Sequence, residues 1–463
     1  MKGKKRSFRV GRVRADLRGK VWYLTYHENG TRQRPRVGPH REIARQLAAQ
    51  INSQLELGAP SALSFESLAI SELQDRWLSH HELVLRSSVQ TIDRYRAATN
   101  HLLAFIRTAR ASDSTSSFRV QHAEEFVRYL RTVHVTPNGH ENSRRRPLFD
   151  KGIKYILCCC RTMFNYAKKR RHLSPYAENP FSELDLDRIP IENSKPVIIF
   201  TPDQERQFLE ACDDWQFSIF LTLILTGLRP GELCHLLLPE DLDLDGGVLY
   251  VHNKRELGWQ VKTRSEREIP LADPLVNVLR RSIDERATGP VFLRRRFGDG
   301  ERRSLAGHTK KELEQEVEKR IVEYERNFDG TLSRSLRLQV ARTIWRDAGS
   351  IKTDHVRKEF MRLTSAIEAV HLTAPKMLRH LFATTLQDAN VDPLIRCELM
   401  GHAIGNSRNS LHGMGMTANY THTQPETKRR QLQTALERRP SFVCAIAWCR
   451  DRGRGKAGRR VSR

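Results

Sequence analysis

Six side chains between residues 229 and 420 combine the groups needed for phosphoryl transfer without a metal. They are Arg229, Lys262, Lys376, Arg379, His402 and Tyr420. Cations stabilise the charge that builds on the equatorial oxygens of a phosphate, and an in-line hydroxyl can attack the phosphorus. A tyrosine phenol can form a covalent intermediate that conserves the energy of the broken ester. No acidic metal-binding cluster accompanies the set, as expected for phosphoryl transfer without a metal.

The first arginine lies in the run TGLRPGEL, where an apolar helix ends in a Gly/Pro turn. Arg229 presents a rigid fork of donors suited to a phosphate. Glu232 follows three residues later and could orient that guanidinium. The alternative is an ordinary surface arginine at a helix-capping turn, and the turn alone does not decide between the two.

The later residues lie on or beside predicted helices. Lys376 and Arg379 are three residues apart, so they share a helix face and can address one anion together. His402 follows Gly401 at a helix end, and Tyr420 comes just before an amphipathic helix predicted over residues 425–437.

The segments VLYV (248–251) and REIPL (267–271) predict a β-hairpin. Four basic residues lie in or near its tip, and three of them are expected to be solvated loop charges: Lys254, Lys262, Arg264 and Arg267.

The secondary structure predicted around these residues is that of an α+β, mostly α-helical protein. Residues 1–60 read as a three-stranded sheet with strands at 7–14, 20–27 and TRQRPRV, followed by a helix over 40–57. Arginines line these strands, and a narrow sheet could enter the DNA major groove. The alternative is a small α+β domain with a charged outer face.

Residues 58–64 read as a linker to a helical bundle over residues 65–180. Its predicted helices are Leu68–Leu78, Ser88–Ile106, Val120–Val133 and Gly152–Lys169. A mixed α/β domain is predicted over 196–437, and a basic tail over 438–463.

The net charge of +25 and the isoelectric point of about 10.1 favour a polyanionic partner. The excess is concentrated at the two ends of the chain, where it could also be a solvated surface. The apolar stretch Phe217 to Leu228 is too short to span a bilayer, and the basic start has no apolar signal segment. A cytoplasmic, nucleoid-associated protein is therefore expected. The eight cysteines form no CxxC pair and predict neither disulfides nor zinc.

The order and spacing of these motifs resemble the tyrosine recombinase (phage integrase) family. TGLRPGEL resembles its first-arginine motif, KTRSEREIPL its hairpin-lysine motif and KMLRHLFAT its His-x-x-Arg-His helix. ELMGHA resembles the Gly-His turn and NYTHT the nucleophile motif. Residues 7–57 look like an arm-type DNA-binding domain and residues 65–175 like a core-binding domain.

The resemblance implies a site-specific recombinase that cuts and rejoins double-stranded DNA. Tyr420 would attack the scissile phosphate, Lys262 would protonate the leaving 5′-oxygen, and Arg229, Arg379 and His402 would stabilise the transition state, with Glu232 orienting the first arginine. It implies no cofactor or metal. It also implies a homotetramer on two DNA sites, accessory DNA-bending or directionality proteins, and a role in phage or mobile-element integration. The helix at 425–437 would suit packing on a neighbouring subunit.

Three features depart from the family pattern. Lys376 stands where the family usually has histidine. His402 and Tyr420 are 18 residues apart, about twice the usual gap. The long interval between Lys262 and Lys376 contains charged helices at 309–327 and 332–348, interpreted as an inserted surface hairpin. The basic tail resembles nothing in the family and is expected to be a flexible, non-specific DNA contact. Two other readings stay open: a type IB topoisomerase-like enzyme, and a catalytically impaired DNA-binding relative.

Overall fold

The computed structural model describes residues 6–136, 142–175, 177–192, 198–295, 305–328, 330–402 and 423–460, without the side chains of 328 and 452–460. The chain divides into two compact units, residues 1–195 and 196–463.

The first unit begins with an antiparallel sheet of five strands where the sequence predicted three. The strands are β1 Ser7–Val10, β2 Val13–Arg18, β3 Val21–Glu28, β4 Thr31–Gln33 and β5 Arg36–Gly38. Gly11, at φ 51°, turns the first predicted strand into a β1–β2 hairpin. Pro35, which has no N–H to donate, divides the last predicted strand, so that β4 and β5 pair with successive parts of β3.

One face of this sheet packs on helix α1, Arg41–Glu56. The apolar core between them contains Trp22, Leu24 and Tyr26. The predicted linker is tied to the sheet, because buried Ser61 donates through its N–H and Oγ–H to the two carboxylate oxygens of Glu28, both at 2.7 Å.

The rest of the first unit is a helical bundle, as the apolar periodicity predicts. Its helices are α2 Ile70–Ser79, α3 Val89–Ala109, α4 Val120–Thr132 and α5 Asp150–Lys169. A π-helical turn, His80–Val84, follows α2. Two short strands, β6 His134–Val135 and β7 Arg146–Pro147, form a separate ladder. The α2–α5 helices share one core, in which Phe118, Phe126, Phe164 and Phe181 make ring contacts.

The second unit surrounds α7, which is buried from Gln216 to Thr226. Its other helices are α6 Pro202–Glu210, α8 Pro230–Leu233, α9 Asp273–Ile283, α10 Lys310–Phe328, α11 Arg334–Asp347, α12 Thr353–Ala366, α13 Lys376–Asp388, α14 Pro393–Met400, α15 Pro425–Leu436 and α16 Pro440–Arg460. The predicted hairpin is present as β10 Val248–Val251 paired with β11 Arg267–Pro270. Strand β9 Leu242–Asp243 extends that sheet, and β8 Leu237–Leu238 pairs with β12 Gly289–Pro290.

Helices α10 and α11 form the inserted hairpin that the sequence predicted. Their apolar residues build a small core of their own, which includes Leu313, Ile344 and Trp345. Leu237 and Leu257, from the region around the β-hairpin, belong to the same core. The insertion is therefore packed onto the unit rather than projecting from it.

Two predictions about the C-terminal region are wrong for the described residues. The apolar face of α15 is covered by its own unit: Leu432, Ala435 and Leu436 are buried in the main core, so this face is not left for a neighbouring subunit. The basic tail is not a flexible extension, because most of it forms α16. Trp448 stacks on Phe217 with 5.2 Å between ring centroids, and the buried carboxylate of Glu205 accepts from the N–H of Ser441 at 3.2 Å.

No helix in the described ranges is long and apolar enough to cross a membrane.

Candidate active site

The loop that carries Arg229 is shaped by a close approach between two helices. Helix α7 ends at Gly227, which adopts a left-handed φ of 62°. A Cβ on Gly227 would lie 2.2 Å from the ring of Phe382 on α13, so only glycine fits here. The chain then turns and Arg229 immediately precedes α8.

Glu232 binds Arg229 twice. One carboxylate oxygen accepts from Arg229 Nη1 at 2.7 Å and the other accepts from the Arg229 backbone N–H at 2.9 Å. This short ring lets the carboxylate set both the loop and its guanidinium. The arrangement has the geometry expected of an orienting acid.

Arg267 is a second arginine on the same carboxylate. Its Nη2 and Nη1 donate to Glu232 at 2.6 and 3.2 Å, and its Nε donates to the carbonyl of Leu399 at 3.0 Å. Burial alone would raise the pKa of Glu232, but the hydrogen bond and charge of Arg267, together with Arg229, outweigh it and lower that pKa. Glu232 is therefore ionised at neutral pH.

Arg379, on α13, is the most deeply buried of the predicted cations, with 9% of its surface exposed. Its guanidinium donates to the carbonyl of Gly227 at 2.6 Å and to the carbonyl of Met400. Burial, and next the positive charge of Arg229, lower the pKa of Arg379 to about 10, so it still carries its charge at pH 7. Arg379 thus connects the Arg229 loop to the end of α14.

His402 follows Gly401, whose φ of 58° ends α14. Its Nε2 lies 3.4 Å from Arg379 Nη2. A guanidinium can only donate, so Nε2 accepts and the neutral ring carries its proton on Nδ1. Burial, then the charges of Arg379, Arg229 and Arg267, lower the pKa of His402, which keeps the ring neutral at pH 7.

Four predicted residues are therefore brought together from distant parts of the sequence: Arg229, Glu232, Arg379 and His402. With Arg267, the group has three guanidiniums and one carboxylate in partly or wholly buried positions. A desolvated cluster with excess positive charge is suited to an anion with several oxygens. We call these five residues the arginine cluster.

The two predicted lysines differ from this cluster. Lys376 is exposed at the first position of α13, and Lys262 is exposed in the turn between β10 and β11. Neither side chain makes a hydrogen bond or ion pair with another residue in the described ranges. His380, next to Arg379 on α13, is also exposed.

Tyr420 lies within 403–422, outside the described residues. The described residues on either side meet at one turn of α14. The N–H of His402 donates to the carbonyl of Cys397 at 3.0 Å, and the hydroxyl of Thr423 donates to the carboxylate of Glu398 at 3.0 Å. Buried Lys428 binds the same carboxylate at 2.9 Å. His402 and Thr423, the described residues that flank this segment, therefore both contact α14.

Sequence reasoning missed two ion pairs by treating most hairpin charges as solvated. Arg267 is buried on Glu232, and Lys254, 1% exposed, binds the fully buried Asp241 at 2.8 Å. The acids are 35 and 13 residues from these bases, so no local pattern links them. No three His, Cys, Asp or Glu side chains in the described ranges converge as a metal site would require.

Comparison with known proteins supports the motif reading. Residues 199–427 match the model of the phage integrase family. Tyrosine recombinase XerA of Pyrococcus furiosus is 29% identical over 185 residues, which is 40% of this chain and 45% of XerA. The "Putative defective protein IntQ" of Escherichia coli strain K12 is 24% identical over 224 residues, or 46% of this chain and 52% of IntQ.

The match thus spans about half the length of these curated relatives. Among solved structures, the Tn1549 transposon integrase in complex with circular intermediate DNA aligns at 19% identity with a TM-score of 0.48, covering 79% of this chain and 99% of that one. The segment 199–427 contains the whole arginine cluster, both lysines and Tyr420. Residues 199–427 therefore form a phage integrase domain, of the family of the tyrosine recombinases.

Proposed function

We propose that this protein is a site-specific DNA recombinase that cleaves and rejoins DNA strands through a 3′-phosphotyrosine intermediate. The observation that carries the proposal is the arginine cluster. It brings Arg229, Arg379 and His402 together from three separate segments around an excess of positive charge. Such a site binds a phosphodiester more tightly as negative charge accumulates in the transition state.

In the proposed mechanism, the hydroxyl oxygen of Tyr420 attacks the scissile phosphorus in line. The phenol gives up its proton to solvent water, a bond forms between the tyrosine oxygen and the 3′-phosphate, and the bond from phosphorus to the 5′-oxygen breaks. Arg229 and Arg379 bind the non-bridging oxygens, and the Nδ1–H of His402 is the donor available for a further hydrogen bond. Lys262 gives its proton to the leaving 5′-oxygen. Rejoining runs through the same steps in reverse.

Glu232 is proposed to orient Arg229, which its two contacts with that residue support. Lys376 is proposed to contact phosphate as a permanent cation. Histidine, which the family usually has there, titrates near neutral pH.

The first unit is proposed to bind DNA along two surfaces. In the sheet of residues 7–38, Arg9 lies opposite Arg14, and Tyr23 lies opposite Arg36, on the face away from α1. A basic and aromatic row on a narrow sheet supports an arm-type DNA-binding role for residues 1–60. Residues 65–180 are proposed as the core-binding domain and 196–437 as the catalytic domain.

The wider proposal concerns assembly and role. The protein would act as a homotetramer on two DNA sites, assisted by DNA-bending or directionality proteins, in the integration of a phage or mobile element. It would work in the cytoplasm on nucleoid DNA, in keeping with the net charge of +25.

A covalent trapping experiment tests the activity. Nicked duplexes tiling the DNA that flanks the gene are incubated with the full chain, so that cleavage near the nick releases a short fragment and prevents rejoining. We expect an adduct that survives denaturation, with a nucleotide 3′-phosphate on the peptide containing Tyr420, and no adduct from Tyr420→Phe. An adduct of unchanged yield in Tyr420→Phe would overturn the assignment of the nucleophile.

The same preparation distinguishes the two alternatives. Relaxation of a supercoiled plasmid without any attachment site would favour a type IB topoisomerase-like enzyme. Specific DNA binding without an adduct on any duplex would favour a catalytically impaired relative.

A further inference from the structure

Asn253 bridges the two ends of the turn that carries Lys262. The side-chain oxygen of Asn253 accepts from the N–H of Val261 at 2.9 Å, and its amide donates to the carbonyl of Arg264 at 3.3 Å. Val261 itself is buried in the main core. The exposed Lys262 is therefore placed by the residues before and after it.

Asn253 is continuous with a second turn, residues 254–259. Lys254 and Trp259 exchange two backbone hydrogen bonds, at 3.0 and 2.9 Å, which close this turn. Beneath it, the Lys254 ammonium binds Asp241. Movement of the 254–259 turn would therefore shift Asn253 and with it the Lys262 turn.

The inserted hairpin packs closely against the tip of the 254–259 turn. Leu257 is 1% exposed in the core of α10 and α11, and its carbonyl accepts from the indole Nε1–H of Trp345 at 2.9 Å. Gly258, at φ 67°, lies so close to α11 that a Cβ would be 2.6 Å from the Cβ of Ala341. Both contacts are direct and leave little room for the tip to shift.

The same tryptophan reaches the Arg229 loop. His235 lies edge-on to Trp345, with 4.7 Å between ring centroids, and stacks on Trp259 at 5.0 Å. His235 Nδ1 lies 2.6 Å from the carbonyl of Gly231, which belongs to the turn after Arg229. Trp345 thus contacts both the loop that leads to Lys262 and the one that follows Arg229.

We propose that the inserted α10–α11 hairpin is a positioning element for the general acid, and that Trp345 is its central positioning residue. Through Leu257 and His235, it sets the Lys262 turn relative to the arginine cluster. The inference rests on the proposed function, specifically on Lys262 as the donor of a proton to the 5′-oxygen. It gives a catalytic role to a segment that the family motifs do not include.

The chemistry of the leaving group allows a direct test. A trapping duplex is made with sulfur in place of the bridging 5′-oxygen. A thiol has a pKa of about 8.5, far below that of an alcohol or water, so a thiolate leaves without the proton that an alkoxide needs. A defect in proton donation should disappear on this substrate, whereas a defect in folding or phosphate binding should remain.

The variant is Trp345→Phe, which keeps an aromatic ring in the core but removes the hydrogen bond to Leu257. We expect its cleavage rate to fall about 10-fold on the oxygen duplex, part of the ~10²–10⁴ that a positioned acid contributes. On the sulfur duplex its rate should equal that of the wild type. The matched control is Trp215→Phe, which removes the same type of bond, from indole Nε1 to the carbonyl of Leu293 at 2.8 Å, elsewhere in the unit. It should show no difference between substrates.

Gly258→Ala supplies an independent arm, because it disturbs the tip without altering Trp345. It too should slow the oxygen duplex selectively, and adding Ala341→Gly should recover part of the loss by relieving the contact. Equal slowing of Trp345→Phe on both duplexes, or no slowing at all, would overturn the inference.

Lys262→Ala distinguishes the positioning role of Trp345 from the assignment of Lys262 as the general acid. Rescue of Lys262→Ala by sulfur without rescue of Trp345→Phe would overturn the positioning role alone. Lack of rescue for Lys262→Ala would overturn the assignment of Lys262 as the acid, and the positioning role with it. Absence of an adduct from wild type would overturn the proposed function itself.

Discussion

The arginine cluster and the two predicted lysines hold their positive charges in opposite ways. Arg379 and Arg267 are buried and donate to backbone carbonyls and a carboxylate whose positions follow from the core. Lys262 and Lys376 lie at the surface, on a turn and at a helix start. Buried cations are oriented before any ligand arrives, whereas exposed ones depend on whatever supports their segment. The difference suggests that phosphate binding is built into the fold and that proton donation depends on a supported loop.

Glu232→Gln should break the cluster's internal balance and give the largest effect. Loss of the carboxylate leaves Arg229 and Arg267 close together without a counter-charge. We expect the free energy of unfolding at pH 7 to fall by about 3–5 kcal/mol, as for other buried ion pairs that lose one partner. Urea denaturation of the full chain measures it.

The pH dependence gives the sign of this interaction. The folded pKa of Glu232 lies below its ordinary value. Its contribution is therefore complete above the unfolded pKa of about 4.3 and is lost as pH falls through the lower, folded pKa. The gap between wild type and Glu232→Gln should be constant from pH 8 to 6 and narrow below about 4.3. The control Glu72→Gln removes an exposed partner of Arg76 and should cost under about 1 kcal/mol. A gap no larger than that of the control would show that the cluster is not a stabilising ion-pair network.

A pair of lysines in the same hairpin tests the comparison directly. Lys254→Met leaves the fully buried Asp241 without its ammonium partner and should cost about 3 kcal/mol of stability. Lys262→Met, at an exposed position, should cost under about 0.5 kcal/mol yet slow cleavage by about 10²–10⁴-fold. Denaturation and single-turnover cleavage of both variants would measure this crossed pattern. Equal stability losses would remove the distinction between the buried and the exposed charge.

Arg379→Lys asks whether the cluster needs the shape of guanidinium as well as its charge. A lysine cannot donate to Gly227 and Met400 while also presenting a fork of donors to phosphate. We expect cleavage to slow by about 10²-fold, the usual loss for one transition-state donor, with DNA affinity little changed. Single-turnover trapping and a binding titration separate these quantities. Arg362→Lys, on the exposed side of α12, is the control, and an equally small effect in both variants would argue against Arg379 as a phosphate ligand.

How far the sequence could predict this molecule follows from the range of the interactions involved. Helices α3 and α5 and the β10–β11 hairpin follow from local periodicity, which the chain carries within about 20 residues. The turn at Gly227 could be predicted from the Gly and Pro residues around it. The reason that glycine is required there, the close approach of the Phe382 ring, lies on a helix distant in sequence. The order of the motifs then indicated which site residues would lie together, and Arg229, Glu232, Arg379 and His402 do so.

What the sequence could not predict are contacts between distant segments. From the sequence, Arg267 is interpreted as a loop charge, because its partner Glu232 is distant along the chain. After residue 438, the many basic residues predicted a solvated tail, although Phe442 and Trp448 pack α16 on the core. The apolar face of α15 was predicted to pack on a neighbouring subunit, but it is buried in the core of its own unit. In each case the partner lies more than 30 residues away.

The smallest expected effect concerns Lys376, the residue that departs from the family pattern. If an exposed cation acts only by its charge, histidine should replace it when protonated and fail when neutral. Lys376→His should therefore cleave within about 10-fold of wild type at pH 6 and lose rate as pH rises past the ordinary histidine pKa of about 6.5, while wild type does not lose rate over that range. Single-turnover cleavage from pH 5.5 to 8.5 measures this, with Lys376→Arg as the control that keeps a permanent charge. A profile for Lys376→His parallel to that of the wild type would mean that charge at this position is not used, and that Lys262 is the only exposed lysine in the mechanism.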